Sequence, residues 1–144
     1  GERVLDLFAG TGAVGLEAIS RGALSATFVE RDRKAIGDIQ RNLDTLGFGD
    51  QGKAVSGDAL GFLGRTRESF DVIFAGPPQW EGLWKTSLTA VDARSEVLAE
   101  GGVLITQLDP SEDDGDPELV ALARVDARTY GKTLLLFHEA RPSD

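Results

Sequence analysis

Val4-Leu5-Asp6-Leu7-Phe8-Ala9-Gly10-Thr11-Gly12-Ala13-Val14-Gly15-Leu16-Glu17-Ala18-Ile19-Ser20-Arg21-Gly22 is the stretch that decides the fold. Arg3–Phe8 is a short apolar run ended by glycine and threonine, the pattern of a buried strand. Ala13–Arg21 has helical character and stops at Gly22, a residue suited to the left-handed turn after a helix. Strand, glycine loop and helix in that order open a β-α unit, and the rest of the chain repeats the alternation. Ala26–Glu30 reads as a second strand. Asp32 can cap a helix whose apolar residues Ile36, Ile39, Leu43 and Leu46 follow 3-4-3 spacing up to Gly47. Ala54–Ser56 is a short strand, Leu60–Thr66 a short helix, and Phe70–Ala75 a strand stopped by Pro77-Pro78. A longer helix is expected over Leu83–Leu98, after which Gly101-Gly102 leads into a strand at Val103–Leu108. Then the pattern changes. A short helix is expected around Glu118–Leu122. Arg124–Tyr130 and Thr133–Glu139 are strand-like and separated only by Gly131-Lys132, which predicts an antiparallel hairpin. Five β-α units followed by a hairpin predict an α/β, doubly wound, Rossmann-like fold. Its seven-stranded sheet is mostly parallel, with one antiparallel strand in the C-terminal hairpin and helices on both faces. No linker or repeat divides the sequence, so residues 1–144 are expected to form one domain.

The glycine loop is literally G-x-G-x-x-G over Gly10–Gly15, and Glu30 closes the next strand 18 residues past Gly12. Both features belong to any fold that grips an adenosine. Glycines let a ligand approach the backbone, and the acid accepts hydrogen bonds from ribose hydroxyls. Two further acids separate the candidate ligands. Asp6 stands four residues before Gly10, where it would repel a pyrophosphate but suit a ligand carrying an amino group and a sulfonium, as S-adenosylmethionine does. The alternative for Asp6 is a carboxylate that caps its own turn. Gly57-Asp58-Ala59 follows the third strand and puts an acid and backbone amides at the same sheet edge, in position for the adenine amine and ring nitrogen. Asp58 reads equally well as a helix N-cap. Three acids at the ends of strands one to three make a coherent S-adenosylmethionine pocket. Its residues are Asp6, Phe8, Ala9, Gly10, Thr11 and Gly12, then Glu30 with Arg31, and Asp58 with Ala59.

Composition narrows the chemistry further. There is no cysteine and one histidine, which excludes disulfides, thiolate nucleophiles and thiolate or histidine-rich metal sites, so no metal is expected. No apolar run approaches the ~20 residues of a membrane span and no secretory signal is visible, so a cytoplasmic location is expected. The net charge of −9 argues against a nucleic-acid partner. That charge is concentrated, because Asp109, Glu112, Asp113, Asp114, Asp116 and Glu118 crowd into one ten-residue stretch that reads as a solvated loop. Arg21, Arg31, Arg33, Lys34 and Arg41 lie close in sequence and read as a solvated surface, so charge alone does not decide the partner. Asp113-Asp114-Gly115-Asp116 lacks the ligand spacing of a calcium loop. His138 is read as edge-exposed or hydrogen-bonded without a catalytic role, and Trp84, Leu88 and Val91 as core at helical spacing. The chain starts Gly1-Glu2-Arg3 and contains no methionine, so a segment preceding Gly1 is expected.

The opening motif closely resembles that of the RsmD-type 16S ribosomal RNA guanine-N2 methyltransferases. The likeness continues through Val29-Glu30-Arg31-Asp32, Arg41-Asn42-Leu43, Gly57-Asp58-Ala59, Pro77-Pro78 and Tyr130-Gly131-Lys132-Thr133, in order and over essentially the whole chain. The resemblance implies a class I methyltransferase fold. It also implies methyl transfer from S-adenosylmethionine to the exocyclic amine of a guanine, with small-subunit ribosomal RNA or the assembled small subunit as partner; a monomer is expected. Related enzymes use an Asp/Asn-Pro-Pro-aromatic motif to hold the amine and stack on a flipped base. Here the stretch is Ala75-Gly76-Pro77-Pro78-Gln79-Trp80: Gly76 replaces the acid or amide, and Gln79 the aromatic. The resemblance therefore points to Gly76, Pro77, Pro78, Gln79 and Trp80 as the catalytic stretch, with Gln79 offering a carbonyl oxygen and Trp80 a stacking face. The plainer reading is that the prolines end a strand and Trp80 packs on the next helix. The resemblance further implies a basic N-terminal segment that contacts RNA and helps cover the cofactor. Three alternatives remain at this stage. They are a methyltransferase for another amine (protein glutamine or DNA adenine), a non-catalytic S-adenosylmethionine-binding module, and an NAD-dependent oxidoreductase. The last lacks any plausible hydride-relay residue beyond His138.

Overall fold

The computed structural model describes residues 1–142. Its strands are β1 (Arg3–Leu7), β2 (Ser25–Glu30), β3 (Gly52–Ser56), β4 (Phe70–Ala75), β5 (Leu98–Leu108), β6 (Leu122–Tyr130) and β7 (Thr133–Ala140). The helices are α1 (Ala13–Ser20), α2 (Arg33–Leu46), α3 (Ala59–Arg65) and α4 (Leu83–Ala93), with 3₁₀ turns at Ser95–Val97 and Pro110–Glu112. The seven strands form one sheet in the order β3-β2-β1-β4-β5-β7-β6, in which β7 runs antiparallel to both β5 and β6. The expected doubly wound sheet with its single reversed strand is therefore present. Among the described residues no helix is long and apolar enough to cross a membrane.

Alternation along β1 explains how the sheet is clothed. Leu5 and Leu7 point into a core shared with Ile73, Leu88, Val91, Leu104 and Leu136. Val4 belongs to a second core with Ile19, Phe28, Ile39 and Leu43, under α1 and α2. Asp6 lies on the Val4 side, so its carboxylate is carried beneath α1. Trp84, Leu88 and Val91 are buried, as their spacing predicts. In α2, Ile39 and Leu43 are buried, whereas Leu46 in its last turn stays exposed. The strand order reverses between β1 and β4: β1 connects outward to β2, while β4 leads to β5 on the other side. At such a switch point the loops after two neighbouring strands diverge and leave a crevice. The residues after β1 and after β4 are Phe8 and Gly76.

The structure corrects the sequence reading in several places beyond β4. The fourth helix stops at Ala93 rather than Leu98, because Arg94 leaves helical geometry and its guanidinium donates to the carbonyls of Leu63 (2.6 Å) and Thr66 (2.9 Å) at the end of α3. Gly101-Gly102 lies within β5, where the register against β4 shifts, and does not precede it. Residues 118–122 are not a helix, since the Asp92 carboxylate accepts the N–H groups of Val120 (3.0 Å), Ala121 (2.8 Å) and Leu122 (2.9 Å) and turns them into the start of β6. Only four helical β-α units therefore exist among the described residues, and a 3₁₀ turn follows β5. Of the two readings of His138, edge-exposed or hydrogen-bonded, the second holds. Strand β7 sits inside the sheet, and the ring is fully buried with Nε2 2.7 Å from Asp116. The acidic stretch is likewise not simply solvated: Asp113 and Asp116 are half-buried around the Arg124 guanidinium.

Candidate active site

The crevice at the switch point is a cavity of about 650 Å³, within the ~300–1,000 Å³ usual for small-molecule and cofactor sites. Its walls include Phe8, Glu30, Arg31, Asp58 and Ala59 on one side and Gly76, Pro77, Pro78 and Gln79 on the other. Residues expected at the ends of three different strands are thus brought together with the Pro-Pro loop. Asp6, Ala9, Gly10, Thr11, Gly12 and Trp80 do not line it. Gln107 near the end of β5, Glu81 and Leu83 do, and the sequence reading missed them. For Gln107 the available signal was a polar side chain after Thr106, near the end of a strand whose preceding residues Val103-Leu104-Ile105 are apolar. His138 is absent from the walls and engaged with Asp116, which removes the one residue an NAD-dependent reading had for hydride relay.

Glu30 is fixed by backbone donors. Gly10 N–H donates to its Oε1 (2.8 Å) and Asp32 N–H to its Oε2 (2.9 Å). A carboxylate offers about four lone-pair sites, so roughly two remain for vicinal hydroxyls. Asp58 combines both roles weighed from sequence. It is the N-cap of α3, accepting Gly61 N–H at 2.9 Å, and it faces the cavity. Asp6 instead follows the turn-capping reading, with its buried carboxylate accepting Gly15 N–H at 3.1 Å. Burial pushes its pKa up to about 7, the Gly15 hydrogen bond opposes the rise, and the charge of Glu30 adds to it. Gly15 must be glycine for packing rather than for ligand approach, because a Cβ there would lie 2.4 Å from the Phe28 ring.

Two non-glycine residues adopt left-handed backbone, Phe8 (φ 59°) and Trp80 (φ 70°), each at a cost of about 1–2 kcal/mol. One lies in the first loop and one in the loop after β4. The side chain of Phe8 packs on the core below, which holds that conformation in place. Trp80 is 65% exposed, so its ring is not buried against α4. Gly76 has ordinary backbone geometry, and a Cβ there would meet only the edge of the Phe74 ring at 3.2 Å. Among the described residues the Pro77 carbonyl accepts no hydrogen bond, and no group of acids and histidine is placed to hold a metal.

A doubly wound sheet of this order with its crevice at β1 and β4 defines the class I S-adenosylmethionine-dependent methyltransferases, and the donor set fits that cofactor. The family model described as "Conserved hypothetical protein 95" matches residues 1–139, and the chain belongs to that family. It is 36% identical over 145 residues to "Putative rRNA methyltransferase YlbH" of Bacillus subtilis, covering 98% of this chain and 77% of that protein. It is 38% identical over 88 residues to Ribosomal RNA small subunit methyltransferase D of Escherichia coli, covering 61% of this chain and 44% of that protein. Among solved structures, "Putative methyltransferase yhhF from Escherichia coli" superposes with a TM-score of 0.86 at 26% identity, covering 99% of this chain and 78% of that one.

Proposed function

We propose that this enzyme methylates the exocyclic N2 amine of a guanine in small-subunit ribosomal RNA, with the acceptor base entering beside Pro77, Pro78 and Gln79. The observation that carries the reading is one cavity whose walls join Glu30 and Asp58 to the Gly76–Gln79 loop. The names of the relatives in B. subtilis and E. coli support the RNA substrate. S-adenosylmethionine supplies an electrophilic sulfonium methyl when bound. Glu30 would hold ribose hydroxyls and Asp58 the adenine edge, with Phe8 the one residue of the first loop that lines the cavity beside them. Guanine's amine is a poor nucleophile because its lone pair is delocalised into the ring. The loop's task is to orient it and accept its N–H groups, which the Pro77 carbonyl and the Gln79 side chain do in place of the acid missing at position 76. The exposed Trp80 ring gives the base a stacking face.

The test is transfer of labelled methyl from S-adenosylmethionine by the full-length protein to small ribosomal subunits, or their RNA, lacking the modification. Label in N2-methylguanosine is expected. Label on adenine or on a protein glutamine would redirect the reading to another amine, and tight cofactor binding with no transfer would make this a non-catalytic module. A sharper probe is Gly76→Asp, for which the Phe74 ring edge needs to yield only a few tenths of an ångström. Restoring a side-chain acceptor of about 1.5–3 kcal/mol at the amine is expected to raise kcat about tenfold with cofactor Kd within twofold. An unchanged kcat would place Gly76 away from the amine.

A further inference from the structure

We propose that Glu112 is a positioning residue for methyl transfer, holding the Gly76–Trp80 loop in the shape that receives the acceptor base. The inference rests on the function proposed above and identifies what governs that end of the site.

The loop has little with which to hold itself. Two successive prolines remove two backbone donors. Among the described residues, two hydrogen bonds from backbone N–H groups tether the stretch from Gly76 to Trp80. One is a long contact from Gly76 to the Leu7 carbonyl at 3.5 Å. The other is Trp80 N–H donating to Glu112 Oε1 at 2.8 Å, from a residue 32 positions downstream. Trp80 is also the residue held at φ 70°, so the carboxylate meets the loop where the backbone is least at ease. Its ring stays exposed, available to a planar partner.

Glu112 is itself immobilised. Its Oε2 accepts Asp109 N–H at 3.0 Å, and Asp109 in turn accepts Ser111 N–H at 2.9 Å, closing a reciprocal capping box around Pro110. The next residues are tied on two sides, Asp114 to Lys85 on α4 (2.6 Å) and Asp113 to Arg124 on β6 (3.0 Å). The acidic stretch is thus a strap from β5 to β6 that presents one carboxylate to the loop. Without that carboxylate Trp80 is free to leave the left-handed region and the loop loses its far anchor. The cofactor end is not expected to follow, because Glu30 and Asp58 take their hydrogen bonds from their own neighbourhoods.

Glu112→Ala and Glu112→Gln in the full-length protein separate positioning from simple structural support. For Glu112→Ala, kcat is expected to fall at least tenfold with cofactor Kd within twofold, and amide exchange over residues 79–82 to quicken at least tenfold. Glu112→Gln keeps one acceptor oxygen for Trp80 N–H and gives up the acceptor for Asp109 N–H, so both readouts are expected to recover partly, to lie between the alanine variant and the parent. An alanine variant with unchanged kcat and unchanged exchange overturns the proposal. So does one that loses kcat and cofactor affinity together without rescue by glutamine, since Glu112 would then only support the fold. If the parent protein transfers no methyl to RNA, the proposed function fails, and the exchange comparison still decides whether Glu112 holds the loop.

Discussion

At the Glu30 end of the cavity, and beneath it at Asp6, the hydrogen bonds that fix the acids come from backbone groups twenty residues away or fewer: Gly10 and Asp32 to Glu30, Gly15 to Asp6, Gly61 to Asp58. At the Trp80 end the anchoring acceptor comes from beyond β5, and the strap that carries it is held by Asp92, Arg124 and Lys85. The first end is assembled by local chain geometry: a strand, a tight loop and a helix start bring their own donors and acceptors together. The second contains prolines that cannot donate and a tryptophan in unfavourable backbone geometry, so it depends on tertiary contacts made elsewhere. In the proposed function the cofactor, common to many enzymes, is assigned to the locally built end, and the substrate, which differs among them, to the end that tertiary contacts shape.

Damage to the strap tests this contrast most severely. Asp92→Ala leaves three backbone donors without their acceptor and is expected to cost about 3 kcal/mol or more of folding stability, measured by urea denaturation. At temperatures where the variant remains folded, methyl transfer should fall while cofactor Kd stays within a few-fold; equal loss of both would erase the distinction between the two ends. The converse substitution is Glu30→Ala. Loss of a charged acceptor for ribose hydroxyls, worth about 1.5–3 kcal/mol, predicts cofactor Kd roughly tenfold to a hundredfold higher by calorimetry. Amide exchange at residues 79–82 should not change, and a large increase there would show that the ends are coupled.

The smallest effect sharpens the picture of the first end through pH. The Asp6 carboxyl has its pKa raised from 3.8 to about 7. Between those values the folded chain holds a proton that the unfolded chain has released, so this group's contribution to stability falls as pH rises across that window and levels off above it. Asp6→Asn keeps an oxygen for Gly15 N–H and removes the titration. It is expected to be more stable than the parent by about 1–2 kcal/mol at pH 8, with the difference shrinking toward pH 4. An equal difference at both ends of the range would mean that Asp6 does not titrate there.

The first loop, the two short acid motifs and the C-terminal hairpin were legible from residue order. Each is a local device, in which a period-2 apolar run, a glycine that accepts positive φ or a two-residue turn acts over a few residues. Position 76 was legible as a departure as well, because Pro77-Pro78 marks the place regardless of its neighbours. What the sequence misled on lies where distant groups compete with local propensity. Arg94 ends α4 by capping α3. Asp92 pulls residues 120–122 out of a helix they would otherwise suit. His138 looked peripheral because the hairpin closes the chain, yet the strand order puts β7 between β5 and β6 and buries the ring.

By itself the sequence determined the β-α alternation, the reversed strand in the hairpin and the acids at the ends of the first three strands, because all of these follow from spacing along the chain. Only the tertiary structure decided that Asp6 lies under α1 rather than in the cavity, that Gln107 and Glu81 line it, and that Glu112 reaches Trp80. Those outcomes depend on which strands become neighbours and on which buried or tethered carboxylate captures which backbone donor. Contacts of that kind join residues that no local period or spacing relates.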